Sequence, residues 1–316
     1  MPAVYMHPQC YVLMQGHRAV GRFALYENPQ MVHQGQRVAL LGCYDAVADP
    51  KVHRILLTHA ILRARLLRAQ WLIGPMEGNI WETYRFRTTD SATPFLLEPT
   101  NPADYPSQWE AAGFSIVQTY QTNIDTQRRC DRTQLMRMYE HYRAKRLRIR
   151  CISFHRAKEE LHAIAQLCNE AFRQSFLFTP LDPARFVAKY HALLPLLDPS
   201  WIWLAESPTG RLEAFVFALP DVLAPDHKRL IIKTIATRPD TPYRGIAVWL
   251  ARWMTYTART HGYRSILHAL IRSDSPSLNA SRHFAQYIYA RYALYGLRLD
   301  AHHIPPLPTI AKTTAP

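Results

Sequence analysis

Residues 230–247 read LIIKTIATRPDTPYRGIA, and this stretch decides the fold. Its first seven residues have the apolar character of a buried strand, and residues 245–260 have the spacing of an amphipathic helix. The loop between them carries Arg238, Arg244 and Gly245. Backbone N–H groups at the start of a helix bind anions, and a glycine lets the main chain approach a phosphate closely. The stretch predicts a phosphate-binding loop, although a glycine before a helix is also common in simple turns.

Hydrophobic periodicity predicts strands and helices on both sides of this stretch. The predicted strands are residues 10–14, 18–26, 37–43, 71–74, 114–121, 147–153, 201–205, 212–219, 230–236, 265–271 and 287–299. The predicted helices are residues 52–69, 106–112, 157–172, 183–197, 245–260 and 277–285. Because strands and helices are interspersed along the chain, the fold class is α/β with α+β character.

The order of elements repeats once. Residues 37–75 and 229–271 both run strand, loop, amphipathic helix, strand. This repetition indicates a duplicated unit, although such units are also common without duplication. With 316 residues the chain is long enough for two domains. We predict an N-terminal domain at 1–122, a helical linker at 123–146, a C-terminal domain at 147–300 and a proline-rich tail at 301–316.

The composition, 48% hydrophobic and 20% charged, is typical of a soluble globular protein. The formal net charge of +14 favours a polyanionic partner: a nucleotide cofactor, an acidic carrier protein, nucleic acid or anionic lipid. The densest basic run, KRLRIR at residues 145–150, largely alternates basic with apolar residues. That pattern predicts a strand with one solvated face rather than a nucleic-acid patch, so we do not expect nucleic-acid binding.

The cysteines, histidines and apolar runs argue against a disulfide framework, a metal site and a membrane span. The five cysteines are dispersed without a CxxC pair, which fits a reducing compartment, and we expect a cytoplasmic protein. No histidine pair at helical spacing stands beside a carboxylate, so we expect no metal site. The chain has neither an uncharged apolar run long enough to span a membrane nor a secretory signal at its start, so we expect no membrane span.

Six motifs stand in a fixed order, one of them within the stretch already described: GRFALYENP (21–29), GPM (74–76), PTNPADYPSQWEAAGF (99–114), CNEAFRQSFLFTPLDPARF (168–186), PDTPYRGI (239–246) and YIYARYALY (287–295). In their order and spacing, the chain resembles the bacterial double-domain members of the Gcn5-related N-acetyltransferase (GNAT) superfamily. The similarity covers about residues 10–299. It implies two tandem domains, each with a mixed, mostly antiparallel twisted sheet flanked by helices.

The resemblance also implies a site. The donor would be an acyl thioester, carried either by coenzyme A or by the phosphopantetheine of an acyl carrier protein. The strand would pair with pantetheine and the loop would hold pyrophosphate. The residues predicted to bind this donor are Ile235, Ala236, Thr237, Arg238, Tyr243, Arg244, Gly245, Ile246 and Ala247. In the N-terminal domain the corresponding loop, residues 44–51, has no glycine and should bind no cofactor.

Catalysis by direct attack of an amine needs a base for the ammonium proton and an acid for the leaving thiolate. The candidate bases are Glu170 and Asp274, and the candidate acids are Tyr289 and Tyr292. Each has a structural alternative. Glu170 sits late in a helix, where it could be solvated or paired with Arg173, and the tyrosines alternate on a strand, where aromatic residues are favoured for packing.

The sequence departs from the family pattern at the loop. Pro242 and Tyr243 stand where the family has arginine and glycine. Pro242 has no N–H to donate, and Tyr243 adds bulk where the main chain should approach a phosphate. Asp274 replaces an asparagine, and Ala-Gln at 285–286 replaces a glycine pair. These changes favour a carrier-protein donor, since an acidic carrier suits a basic surface.

Two functions follow from these observations. The first is an N-acyltransferase that moves an acyl group from acyl-coenzyme A or an acyl carrier protein to an amine, on a small molecule or a peptide. The second is a non-catalytic domain pair that binds a ligand, peptide or nucleic acid.

Overall fold

The computed structural model describes residues 8–89, 92–127, 131–282, 285 and 287–299. Its strands are β1 (Gln9–Gln15), β2 (Arg18–His33), β3 (Gln36–Ala46), β4 (Trp71–Gly74), β5 (Phe86–Arg87), β6 (Ser115–Asp125), β7 (Arg148–Cys151), β8 (Ile202–Glu206), β9 (Leu212–Pro220), β10 (Arg229–Thr237), β11 (Ser265–Arg272) and β12 (Tyr287–Arg298). Its helices are α1 (Pro50–Leu66), α2 (Tyr105–Ala111), α3 (Arg132–Ala144), α4 (Ala157–Ala171), α5 (Pro183–His191), α6 (Ile246–Thr260) and α7 (Pro276–Arg282). The predicted α/β fold class is confirmed.

The chain packs as two compact units. The N-terminal unit contains described residues 8–88, 99–118 and 293–299, and the C-terminal unit contains the other described residues. Strands β6 and β12 therefore contribute one part to each unit. The domain boundaries predicted at 122, 146 and 300 follow chain order and stay a prediction, and the predicted tail lies outside the described residues.

The N-terminal unit has the strand order β1-β2-β3-β4-β12. All of these pairs are antiparallel except β3 with β4, which run parallel and are joined by α1. Asp49 starts α1 by accepting a hydrogen bond from the Lys51 N–H at 2.8 Å, and Pro50 occupies the first turn, where no N–H is needed. The core between α1, α2 and the sheet includes Leu57, Leu72 and Trp109.

The C-terminal unit has the strand order β6-β11-β10-β9-β8-β7. Here β10 and β11 are the parallel pair, joined by α6, and the other pairs are antiparallel. Apolar residues of α6, among them Trp249 and Met254, pack on Val216 and Ile232 of the sheet. Both units thus contain the repeated strand–helix–strand element expected from residues 37–75 and 229–271.

Three differences from the predicted elements have simple physical causes. Strand β6 continues to Asp125 because residues 120–125 pair with β11, so the predicted linker begins as a strand. Helix α5 ends at His191 and a separate 3₁₀ turn follows at Leu194–Leu196, since Pro195 cannot continue a helix. Only residues 148–150 of the basic run lie in β7, because residues 145–147 form the turn after α3. Arg150 is half-buried between the carboxylates of Glu160 and Glu206 rather than solvated.

The longest helix of the described residues, α1, has 17 residues, and no helix among them combines the length and apolar character that crossing a membrane requires.

Candidate functional site

The parallel strands β10 and β11 pair at one end and separate at the other. Their register runs from Arg229 with Ser265 to Ile232 with His268 and ends there. Beyond that point β10 stays paired with β9, and β11 stays paired with β6. Both strands are irregular at the point of separation, because Lys233 is an extra residue opposite β9 and the β11 register shifts between His268 and Ile271. We call the opening between the two strands the split.

The edge of β10 that faces the split pairs with no strand of the described chain beyond Ile232. Arg238 donates its backbone N–H to the Glu213 carbonyl on β9 at 2.9 Å. Since backbone groups alternate between the two sides of a strand, Ala236 also faces β9. Ile235 and Thr237 direct their N–H and C=O groups to the other side, toward the split. Of the three residues predicted to pair with pantetheine, these two present their backbone to the split and Ala236 does not.

The loop at the end of β10 leads into the start of α6. Gly245 caps the helix with a φ of 79°, a left-handed conformation that favours glycine. Within the described part of the chain, four backbone N–H groups here have no intrachain acceptor, those of Arg244, Gly245, Ala247 and Val248. All four residues are at least partly exposed. Together with the helix dipole, these N–H groups form an anion-binding surface.

Two of the predicted loop residues point away from that surface. The ring of Tyr243 is buried in the core of the C-terminal unit, and burial raises its pKa. Its bulk therefore does not stand over the anion-binding N–H groups, contrary to the expectation from sequence. Ile246 is also buried, and its N–H bonds to the Tyr243 carbonyl at 3.2 Å. Both side chains support the loop from beneath.

Arg238 and Glu170, predicted separately as a donor ligand and a base, form an ion pair. Arg238 is buried, and its Nε donates to the Leu212 carbonyl at 2.7 Å. Glu170 lies near the end of α4 and is 44% exposed. The partner of Glu170 is thus Arg238 rather than Arg173. The pair fixes Arg238 against β9, with its guanidinium held between Glu170 and the Leu212 carbonyl.

Asp274, the second candidate base, follows β11 and is 62% exposed. Its carboxylate accepts from Nε of Arg272, whose Nη1 also donates to the Gln174 carbonyl at 3.0 Å. Gln174 comes four residues after Glu170, so Arg272 connects the end of β11 with the segment after α4. Asp274 is held by this arginine but stays accessible to solvent.

The two candidate acids both use their hydroxyl groups within the protein. Tyr289 is half-buried and donates to the Thr93 carbonyl at 2.6 Å, while Arg229 donates to Tyr289 at 2.6 Å. Burial raises the pKa of Tyr289, and Arg229 partly offsets that effect. Tyr292 is 1% exposed and donates to Glu98, a buried carboxylate.

Tyr292 belongs to a directional chain of hydrogen bonds beneath the split. The Leu270 N–H donates to the Thr122 hydroxyl at 3.1 Å, and that hydroxyl lies 3.1 Å from the Tyr292 oxygen. Since Tyr292 donates onward to Glu98, and Phe95 also donates its N–H to Glu98, the carboxylate accepts on both oxygens. The chain satisfies the backbone of β11 where that strand leaves its partner.

Among the described residues no group of three histidine, cysteine, aspartate or glutamate side chains is arranged to hold a metal ion.

Comparisons with solved structures identify the fold of the chain. A tandem GNAT protein from the clavulanic acid biosynthesis pathway superposes with a TM-score of 0.53, over 95% of this chain and 84% of that one, at 12% identity. A Gcn5-related N-acetyltransferase from Sphaerobacter thermophilus gives 0.53 over 89% of this chain and 77% of its own, also at 12% identity. The chain has the tandem GNAT fold.

Sequence comparison is less informative. No protein-family model matches the chain. Protein YghO of Escherichia coli K12 is 25% identical over 222 residues, which are 68% of this chain and 55% of YghO. The chain thus spans about half the length of this curated relative. The glucosamine N-acetyltransferase region of a fungal multi-domain beta-N-acetylglucosaminidase has a TM-score of 0.54 over 89% of this chain but 32% of the fungal protein, at 11% identity.

Within this GNAT fold the N-terminal unit has closed the equivalent of the split. Strands β3 and β4 pair from Val38 with Trp71 to Leu40 with Ile73, and the contact continues past the end of β4, where Met76 donates its N–H to the Leu41 carbonyl at 2.9 Å. A Cβ on Gly42 would lie 2.6 Å from the Met76 oxygen, and a Cβ on Gly74 would lie 2.3 Å from the Leu41 oxygen. The two strands are therefore too close for a ligand to lie between them.

The start of α1 in the N-terminal unit is likewise unsuited to phosphate. The Asp49 carboxylate already accepts the Lys51 N–H and places a negative charge where a phosphate would lie. Aromatic and polar side chains fill the space nearby: Tyr44 bonds to His53 at 2.7 Å, and His53 lies 3.5 Å from the Asp104 carboxylate. That the N-terminal loop binds no cofactor stays a prediction.

Sequence reasoning missed several residues that shape the site. His268 lies at the closed end of the split, 3.0 Å from the Ser281 hydroxyl, and burial lowers its pKa to about 4. A histidine inside the apolar run SILHALI was a usable signal. Lys233, the extra residue of β10, carries no comparable signal, because a bulge depends on the neighbouring strand as well as on its own sequence.

Proposed function

We propose that the protein is an N-acyltransferase that moves an acyl group from a coenzyme A thioester to an amine. The split in the C-terminal unit carries this proposal. It exposes the backbone edge of Ile235 and Thr237 and leads directly to the accessible N–H groups at the start of α6. A ligand with an amide-containing arm and a pyrophosphate fits both features, and acyl-coenzyme A has both. The GNAT fold of the chain supports the same donor class.

In this proposal each part of the site recognises one part of the donor. The backbone groups of Ile235 and Thr237 pair with the pantetheine amides as an added strand would. The N–H groups of Arg244, Gly245 and Ala247 hold the pyrophosphate, and the exposed Arg244 side chain adds a positive charge. The bound donor supplies a thioester carbonyl, and the residues of the split exclude water from one side of it.

The acceptor amine must lose a proton when it attacks. Glu170 and Asp274 are the candidate bases, and both are accessible carboxylates next to an arginine. The acid role proposed for Tyr289 and Tyr292 is more demanding. Each hydroxyl would have to give up an existing hydrogen bond to Thr93 or Glu98 before it could protonate a thiolate.

The engaged hydroxyls support a second candidate, a GNAT-fold protein that binds an acyl thioester without transferring it. Both functions require donor binding, so turnover separates them. Three finer points are also matters of this proposal: which amine accepts the acyl group, how long the acyl chain is, and whether coenzyme A or a carrier protein holds it.

Isothermal titration with coenzyme A and acetyl-coenzyme A tests the donor site. We expect saturable binding of both, and no detectable binding at high micromolar concentration would refute the proposal. Mass spectrometry after incubation with acetyl-coenzyme A and a panel of amines and peptides tests transfer. Binding without any acylated amine would favour the non-catalytic candidate. Transfer from an acyl carrier protein but not from acyl-coenzyme A would move the donor to the carrier.

A further inference from the structure

Helix α3 lies in the segment predicted as a linker, yet it is part of the C-terminal unit and packs along α6. The Trp249 Nε1 donates to the Leu135 carbonyl at 3.0 Å, and the Arg252 guanidinium donates to Gln134 at 2.8 Å. At the other end of α3, the Tyr142 hydroxyl donates to the Arg244 carbonyl at 3.0 Å. Three contacts therefore tie α3 to α6 and to the loop before it.

The contact of Tyr142 bears directly on the loop. Tyr142 is 1% exposed, its ring lies edge-on to Trp249 with centroids 6.0 Å apart, and its oxygen lies 3.5 Å from where a Cβ on Gly245 would be. The side chain is thus fixed by packing before it makes its hydrogen bond. A hydroxyl held in this way selects one orientation of the carbonyl it binds.

The orientation of the Arg244 carbonyl determines that of the Gly245 N–H. Both groups belong to the same peptide unit, and this peptide is not among the cis bonds of the described chain. In a trans peptide the C=O and N–H point in opposite directions. With the carbonyl bound to Tyr142 in the core, the Gly245 N–H points outward, to the exposed side of the loop. A glycine at φ 79° is conformationally free, so this peptide would otherwise have alternative orientations.

We propose that Tyr142 is a positioning residue of the donor site: it sets the Arg244–Gly245 peptide so that the Gly245 N–H faces the donor pyrophosphate. The proposal rests on the proposed function. It assigns to α3 a role in donor recognition, beyond joining two halves of the chain.

The substitution Tyr142→Phe tests the proposal, because it removes the hydroxyl and keeps the ring. The matched control is Tyr139→Phe, one turn earlier on α3. The Tyr139 ring also stacks on Trp249, with centroids 6.1 Å apart, but its hydroxyl makes no hydrogen bond within the described part of the chain. Both variants keep the aromatic contacts with α6, and only Tyr142→Phe loses a hydrogen bond, so its unfolding temperature should lie below that of Tyr139→Phe while the protein stays folded.

Isothermal titration is then carried out with coenzyme A, ADP and acetyl-pantetheine on the wild type and both variants. We expect Tyr142→Phe to weaken the binding of coenzyme A and of ADP, which both carry a pyrophosphate, by about 5- to 10-fold. This is the effect on affinity of losing one hydrogen bond. Acetyl-pantetheine, which has no pyrophosphate, should bind all three proteins equally, and Tyr139→Phe should match the wild type throughout.

Each other outcome contradicts the inference in a distinguishable way. If Tyr142→Phe binds coenzyme A and ADP as the wild type does, Tyr142 does not position the loop, and the proposed donor site survives. If Tyr142→Phe binds all three ligands more weakly to the same extent, Tyr142 supports the fold in general rather than the phosphate loop. If the wild type binds neither coenzyme A nor acetyl-coenzyme A, the proposed function fails and this inference fails with it.

Discussion

The closed strand pair of the N-terminal unit predicts a specific stability difference between two glycine-to-alanine substitutions. In Gly42→Ala the new Cβ would lie 2.6 Å from the Met76 carbonyl oxygen and 2.9 Å from its carbon. In Gly296→Ala the new Cβ would also lie 2.6 Å from its nearest neighbour, a methyl group of Val117. The overlap is equal, but the first neighbour is backbone and the second is a side chain.

The expected magnitudes follow from what can move. Met76 is fully buried and donates its N–H to Leu41 at 2.9 Å, so relieving the overlap in Gly42→Ala separates β3 from the chain after β4. Such overpacking costs about 1–3 kcal/mol, while alanine recovers about 0.4–1 kcal/mol by restricting the unfolded chain. A net loss of about 1–2 kcal/mol remains. Val117 is half-buried and its methyl group can move without displacing backbone, so Gly296→Ala should cost less than Gly42→Ala.

Urea unfolding followed by circular dichroism measures both variants in the same unit. The decisive outcome is the order of the midpoints, with Gly42→Ala below Gly296→Ala and the wild type. Binding of coenzyme A serves as the internal control, because neither change lies in the C-terminal unit that contains the donor site. Equal midpoints, or a Gly42→Ala protein more stable than Gly296→Ala, would show that β3 and β4 are not in the close contact described here.

Three further predictions concern the C-terminal unit. In Gly245→Ala the new Cβ meets no clash, since it would lie 3.5 Å from the Tyr142 hydroxyl, but the left-handed φ costs an alanine about 1–2 kcal/mol. Titration should therefore show weaker binding of coenzyme A. An unchanged affinity would argue against this loop as the donor site. Tyr292→Phe removes a hydrogen-bond donor from the buried Glu98, so urea unfolding should show a free energy of unfolding lower by about 1–3 kcal/mol. A variant that keeps its stability and loses only turnover would instead establish Tyr292 as the acid. Burial lowers the pKa of His268 from 6.5 to about 4, so as pH falls the unfolded chain binds this proton before the folded chain does. The free energy of unfolding of the wild type should therefore fall by roughly 3 kcal/mol between pH 6.5 and 4, relative to that of His268→Asn. Parallel curves of stability against pH for the two proteins would contradict a neutral buried imidazole.

Much of the fold could be predicted from the sequence because its signals are local. The strand-and-helix pattern of residues 230–260 specifies the β10–loop–α6 segment, and the order of motifs indicates the tandem GNAT fold. What stayed hidden depends on packing between distant segments. No local pattern places β6 next to β11, or joins Tyr142 to a carbonyl one hundred and two residues later in the chain.

Some features of the candidate site could likewise be predicted from a short segment of sequence, and others depend on packing between distant segments. The N–H groups of Gly245 and Ala247 could be anticipated, since a helix start after glycine is a property of a short segment. The position of Tyr243 could not, because whether a loop tyrosine points outward or into the core depends on the space left by α3 and α6. The pairing of Glu170 with Arg238 was hidden for the same reason, as α4 and β10 lie far apart in sequence.

The two units show that a strand–helix–strand element is not by itself a donor site. In the C-terminal unit the strands separate after Ile232, and a glycine without a side-chain cap leaves the helix start open to an anion. In the N-terminal unit both conditions are reversed, since Gly42 lets the backbones touch and Asp49 occupies the helix start with its own carboxylate. These two differences act independently, one on the thioester arm and the other on the pyrophosphate. Removing the Asp49 charge alone would therefore leave the strand pair closed, which is why we expect one donor per chain even though the element occurs twice.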